Sequence, residues 1–262
     1  MRDERQALFQ GVLDDPDAEA PRRAFAAWLD ARGEPQGEFI RLQLEASREL
    51  RKEGHSTEYI ELGRRATELR SRYGADWSRP VDSIASEPRF YRGFVEGVTI
   101  GTAEFLSRAD QLYRAAPIRH ITFTGARGAM AALAASPALA RLVSIGLQDN
   151  QLGDGDVQAF AASPHLGRLR RLTLAWNEIG EQGLEALFAS SSLTGLAYLN
   201  FEGNRVKSPT EEWGEDWATG RIVPESVSLP EAGQRLESRY GTRPWLHAPT
   251  LLRHFPPSEE EL

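Results

Sequence analysis

The chain has 262 residues, more than one compact domain usually needs and short of two large ones. Its 31 basic and 38 acidic side chains give a net charge of −7, and no stretch is basic overall: 14 against 16 in residues 1–80, 11 against 12 in 81–206, 6 against 10 in 207–262. That balance offers no phosphate footprint, so nucleic acid is not an expected partner, and the lack of cysteine excludes disulfide scaffolds, thiolate zinc sites and cysteine nucleophiles.

Residues 3–75 read as helices. Ala7, Leu8, Val12 and Leu13 share one helical face, which Asp14-Asp15-Pro16-Asp17 brings to a stop; these aspartates read as caps and turn formers. A second helix starts at Pro21, places Phe25, Trp28 and Leu29 on one side and ends at Gly33. The third follows Pro35-Gln36-Gly37 and aligns Phe39, Leu42, Ala46 and Leu50; the fourth, about Thr57–Tyr73, aligns Ile60, Leu62, Ala66 and Leu69. The polar set Asp30, Glu38, Arg41 and Gln43 lies among these helices and reads as a partly buried ion-pair network between the second and third.

After Pro80 the character changes. Residues 89–100, β-branched, aromatic and punctuated by glycine, predict a strand or hairpin. An internal repeat follows: Leu142 to Asn150, Leu169 to Asn177 and Leu196 to Asn204 match one another at a period of 27, each with an aliphatic residue two places after the asparagine (Leu152, Ile179, Val206). This LxxLxLxxNxL pattern is the leucine-rich-repeat signature. Its L-x-L core predicts a short strand, and stacked units predict a parallel sheet. Asn150, Asn177 and Asn204 are expected to form a ladder that satisfies backbone groups where each strand turns away. Two degenerate units precede, at Ile118–Phe123 and Val95–Ile100, making about five strands. The helices after each turn carry Val157, Ala159 and Phe160, or Leu184, Leu187 and Phe188, inward over the sheet's outer face. The tail from Lys207, rich in Trp and Pro (Trp213, Trp217, Trp245; Pro209, Pro224, Pro230, Pro244), reads as a cap with a last helix near Leu236–Tyr240.

The expected fold class is therefore α/β: a short leucine-rich-repeat solenoid, with a parallel sheet and helices on its convex face, preceded by a small all-α domain. The expected domains are a helical one at 1–80, the solenoid at 81–206, and a cap with acidic tail at 207–262.

Three strings in the helical part carry a resemblance: Asp14-Asp15-Pro16-Asp17 with Pro21-Arg22; Ala27-Trp28-Leu29-Asp30-Ala31-Arg32-Gly33; and Pro35-Gln36-Gly37-Glu38-Phe39-Ile40-Arg41-Leu42-Gln43. In that order and spacing they resemble the bacterial repeat-companion domain, named for accompanying leucine-rich repeats. Arg92-Gly93-Phe94-Val95-Glu96 and Pro117-Ile118-Arg119-His120 also resemble the connecting region of such proteins, and the likeness covers roughly residues 1–206. It implies an architecture and no defined activity. The repeats are similar to the ribonuclease-inhibitor-like class, whose members mainly bind other proteins.

Enzyme motifs are missing: no G-x-S-x-G, G-x-x-x-x-G-K-[ST], H-E-x-x-H or G-x-G-x-x-G. The five histidines are scattered, and Asp149, Asn150, Asp154 and Asp156 lack calcium-loop spacing, so neither a metal nor a cofactor is expected. No signal peptide is expected of the charged start Met1–Arg5, and the longest uncharged run, Gly128 to Ala140, is too short and weakly apolar to span a bilayer. A cytoplasmic, non-enzymatic protein with no membrane partner is the expectation, monomeric or part of a hetero-complex.

The concave face is the expected partner-binding surface. In-register rows of His120, Ser144, Arg171 and Tyr198, and of Thr124, Gln148, Ala175 and Glu202, flanked by Asp149 and Trp176, are expected to point outward, as is Asn200 in the last unit. Arg, Trp and Tyr are enriched at binding hot spots. An inhibitor or immunity-type protein of one enzyme or toxin is the first alternative. The second makes the helical domain a small ligand-binding or catalytic unit, with Asp30, Glu38, Arg41 and Gln43 lining an open cleft.

Overall fold

The structure is a computed structural model that describes residues 2–53, 56–207, 210–216 and 221–246. It is an α/β chain that divides into two compact units, one of residues up to Thr99 with Arg108–Ile118, the other of Ile100–Ser107 with residues from Arg119 on. Six strands form one open sheet in the order β1-β2-β3-β4-β5-β6, and a separate pair forms a second.

The first unit is built from α1 (Arg2–Asp14), α2 (Glu19–Asp30), α3 (Pro35–Glu53), α4 (Thr57–Asp82), β1 (Ser86–Tyr91) and the start of β2 (Phe94–Gly101). Its core joins Val12, Phe25, Ala26, Leu29, Ile40, Leu44 and Phe94. A neighbouring aromatic group stacks Phe39 on Trp77 at 4.8 Å and sets Phe90 edge-on to Phe39 at 5.7 Å.

Two helical faces differ from the expected ones. On α3 the buried side chains are Phe39, Ile40, Gln43, Leu44 and Ser47, one position round from the apolar stripe, because two polar residues are buried with their bonds made. Gln43 Oε1 accepts from the Gly93 N–H at 2.6 Å and the Ser47 hydroxyl donates to the Gln43 carbonyl at 2.8 Å. On α4, Tyr59 is buried with Ala66 and Leu69 while Ile60 is 59% exposed. That helix also runs on to Asp82 through Pro80. The proline removes the N–H that would bond the Asp76 carbonyl, and Trp77 and Val81 hold this last turn against the core in spite of that loss.

β1 and β2 pair antiparallel through an Arg92-Gly93 turn in which both residues have positive φ (48° and 89°). A Cβ on Gly93 would lie 2.3 Å from Ile40 Cγ1, so glycine is required there for close approach as well as for φ.

In the second unit, β3 (His120–Thr124), β4 (Ser144–Gly146), β5 (Arg171–Thr173) and β6 (Tyr198–Asn200) are parallel and alternate with α6 (Met130–Ala135), α7 (Asp154–Ala161) and α8 (Glu181–Ala189); α5 (Thr102–Ala115) precedes them, its residues up to Ser107 in this unit and the rest in the first. Alternate strand residues are fully buried: Ile121, Ile145 and Leu172, then Phe123, Leu147 and Leu174, are all 0% exposed. Val157, Phe160, Leu184, Leu187 and Phe188 meet them from the helices. The tail contributes what its composition did not predict, an antiparallel pair β7 (Thr210–Asp216) and β8 (Arg221–Ser228), before α9 (Glu231–Tyr240) and a 3₁₀ turn at Pro244–Leu246. Trp245 is buried edge-on to Phe188 at 4.9 Å. Pro209 and Trp217 lie outside the described residues, as does the Trp213 side chain.

Candidate functional site

The parallel strands pair in the register that the repeat spacing predicts. His120 pairs with Ser144, Ser144 with Arg171 and Arg171 with Tyr198; the next row is Thr122, Gly146, Thr173 and Asn200. The row is real, but it is not open. His120 is 1% exposed, Ser144 0% and Tyr198 2%, and Arg171 is half-buried, which corrects the expectation of an outward-facing surface. Strands about 4.8 Å apart set these side chains shoulder to shoulder. The Arg171 guanidinium lies over the Tyr198 ring at 4.9 Å, and the small Ser144 is overshadowed between larger neighbours. Ala175 is also buried, and Gln148 and Asn200 are half-buried.

Exposure is concentrated where the chain leaves each strand: at Thr124, Asp149, Trp176 and Glu202. Here the backbone takes a left-handed step in every unit, at Gly125, Asp149, Trp176 and Gly203, with φ of 63°, 55°, 57° and 70°. Glycine and aspartate tolerate that region; a tryptophan in it is an outlier. Trp176 is nevertheless 59% exposed. Its ring lies on Gly203, where a Cβ would come within 2.4 Å of Trp176 Cε3. Only a glycine at the equivalent place of the next unit admits the ring.

Directly after these steps stand the asparagines. Asn177 Oδ1 accepts from the N–H groups of Asn150 and Leu152, both at 3.0 Å, and its amide donates to the carbonyls of Leu147 and Leu174 at 2.9 and 2.8 Å. Asn150 accepts from Ala126 N–H at 2.8 Å and donates to Phe123 and Gln148 carbonyls, both at 2.9 Å. Asn204 accepts from Ile179 N–H at 3.0 Å and donates to Leu174 and Phe201 carbonyls at 2.9 and 2.7 Å. A matching device at the C-terminal ends of the helices was not read from the sequence: the Ser163 hydroxyl donates to the Ala134 carbonyl, and Ser190 to Ala161 at 2.6 Å. Ser136, Ser163 and Ser190 recur at the same period of 27, a signal the leucine pattern overshadowed.

The acidic cluster beside the ladder is consumed by the fold. Asp154 Oδ1 accepts from Gly180 and Gly183 N–H at 2.6 and 2.9 Å, at the start of α8, and Asp156 accepts from Gly153 N–H at 3.0 Å. No group of three metal-ligating side chains occurs among the described residues.

In the helical unit the four motif residues separate. Arg41 pairs with Asp30 at 2.8 Å, joining α3 to α2, but both are more than a third exposed. Glu38 turns instead to Arg65 of α4, also at 2.8 Å. The Arg65 bond holds the Glu38 carboxyl below the usual range, and the Asp30 bond raises Arg41. These three line an open cleft of about 990 Å³ with Arg64, Glu68 and Arg72. Gln43 is buried elsewhere, against Gly93. The single network expected of these residues is thus two exposed pairs and one separate buried amide.

The buried ionic network lies in two other quoted strings, Pro21-Arg22 and Arg92 to Glu96. Arg22 and Glu96 are both 0% exposed and pair at 2.9 Å; Arg92 adds a second contact to Glu96 at 2.8 Å. Both guanidiniums also donate to the Pro16 carbonyl, at 2.7 and 3.0 Å, and Arg22 to the Arg92 carbonyl at 3.1 Å. The hairpin turn and the α1–α2 link are tied to one point.

No protein-family model matches the chain, and no curated protein or solved structure matches it either.

Proposed function

We propose that residues 81–206 are a leucine-rich-repeat solenoid preceded by a repeat-companion-like helical domain, and that the protein is a cytoplasmic, non-enzymatic module that binds another protein. The period of 27, the in-register parallel strands and the asparagine bonds support the repeat assignment. No described helix is long and apolar enough to cross a membrane.

The observation that carries the binding reading is Trp176: a large apolar side chain held out of the core, 59% exposed, in a backbone conformation that tryptophan disfavours. It stands between Asp149 and Glu202, exposed carboxylates of the flanking units. The binding surface is therefore the C-terminal margin of the strands rather than the buried row of His120 and Tyr198. It suits a partner with an apolar socket edged by basic side chains. Photo-crosslinking from a benzophenone residue at Glu202 tests this, with the same residue at Gln182 as control. The expected result is one dominant product from position 202, lost on Trp176→Ala; equal products from both positions would overturn it.

The second reading keeps one observation in its favour: Asp30, Glu38 and Arg41 do line an open cleft in the helical unit. Its charges, however, mostly satisfy one another, Arg41 with Asp30 and Arg65 with Glu38 and Glu68.

A further inference from the structure

A second cavity in the helical unit differs in kind from the charged cleft. It encloses about 420 Å³, and its walls include the rings of Phe9, Phe25, Trp77 and Phe94. Three of these rings already pack together with centroids about 6 Å apart, Phe94 stacked on both Phe9 and Phe25 and Phe9 tilted against Phe25. Cavities that hold small organic molecules run from about 300 to 1,000 Å³ and are mostly apolar with a few placed polar groups. This one sits at the low end, with room for a body of one or two rings.

Its mouth decides the charge of the occupant. Arg5, Asp76 and Arg114 stand there with two glutamines, Gln6 and Gln36. Arg5 is paired with Glu34 at 2.7 Å and Asp76 with Arg79 at 2.6 Å, so these charges are cancelled. Arg114, in the last turn of α5, is exposed and has no partner among the described residues. The mouth therefore carries one uncompensated positive charge in a planar, two-pronged form suited to a carboxylate. A dianion would leave one of its two charges without a counter-charge at this mouth.

We propose that this cavity binds a small aromatic monocarboxylate, its ring system among Phe9, Phe25, Trp77 and Phe94 and its carboxylate on Arg114. The site is independent of the partner-binding reading, and gives the helical unit a ligand pocket other than the charged cleft.

The test is isothermal titration of the full chain with 2-naphthylacetate, its neutral amide and 2-naphthyl phosphate. The expected result is one-site binding of the acid, with the amide about tenfold weaker through loss of the charged bond. Arg114→Gln should bring the acid down to the level of the amide and leave the amide unchanged. Ala115→Trp, which fills the cavity from its wall, should abolish both while the melting temperature stays within a few degrees of the parent. Absence of saturable binding by the wild type, an Arg114→Gln variant that still prefers the acid, undiminished binding by a folded Ala115→Trp, or a phosphate that binds more tightly than the carboxylate would each overturn the proposal.

Discussion

The two units each bury a polar array that holds chain segments distant in sequence, and they do it with opposite chemistry. In the second unit the array is neutral: asparagine amides whose donors and acceptors match backbone groups one unit away. In the first it is ionic: one carboxylate between two guanidiniums, with spare N–H groups spent on carbonyls. A neutral amide costs little to desolvate once its bonds are made, and it can be copied unit after unit. A buried charge is expensive unless its counter-charge is present, so it is used once, where several segments converge. Removing one member therefore has different consequences in the two places.

The largest effect is expected at Glu96. Glu96→Gln leaves two arginines, one of them fully buried, facing a neutral amide, and should cost about 3–5 kcal/mol in urea unfolding. Replacing Arg22 and Glu96 together by Met and Leu should cost much less than the single change, because the fully buried guanidinium is then not stranded and Arg92 keeps its bonds to the Pro16 and Asp17 carbonyls. If the double variant is as unstable as the single, the array acts by packing and the contrast with the asparagines disappears.

Asn177→Ala comes next. It strands the N–H groups of Asn150 and Leu152 in a buried setting and should cost about 3 kcal/mol. Amide exchange at Asn150 and Leu152 should quicken more than at the amides of β3. At the more exposed Asn204, the same change should cost about 1 kcal/mol, since water can reach the groups it abandons. Equal losses at the two positions would show that burial does not set the scale.

This contrast also governs what could be read in the chain. A device used once per unit leaves a period, and the asparagines, the strand register and the buried Leu and Ile rows were all legible from it. The ionic array leaves none: Arg22 and Glu96 are 74 positions apart, and nothing in composition tells a buried arginine from the many on the surface. Alternation placed the row of His120 and Tyr198 correctly on one face, but it carries no information on whether that face is covered. The α3 stripe failed for a related reason, since Gln43 and Ser47 look like solvent residues until their bonds are seen. Trp176 was marked as a candidate by its type and its place beside the outward row; its left-handed backbone was legible in principle, because Asp149 and Gly203 hold the same place in their units.

At that place stability and binding should part. Trp176→Asn exchanges an indole for a side chain at ease with positive φ, and should leave the melting temperature unchanged or raise it by the equivalent of about 1 kcal/mol, while cross-linking from position 202 is lost. A clear loss of stability would mean that the ring's contact with Gly203 outweighs the backbone strain, and would make Trp176 a structural residue.

The smallest effect separates the buried ion array from the exposed one. Glu38, held below the usual glutamate range by the Arg65 bond, binds a proton less readily in the folded than in the unfolded chain. Its contribution is therefore complete at neutral pH and declines as the pH falls through the folded-state value. Because the pair is exposed on both sides, solvent and salt screen it. Arg65→Met should shift the acid limb of the stability profile slightly, and the shift should vanish in about 1 M salt, where the screening length is about 3 Å. The penalty of Glu96→Gln should survive that salt, since no ion reaches a carboxylate with 0% exposure. If both effects fade together, the Arg22–Glu96–Arg92 array is wetter than its geometry implies, and the distinction between the two ways of burying polarity loses its physical basis.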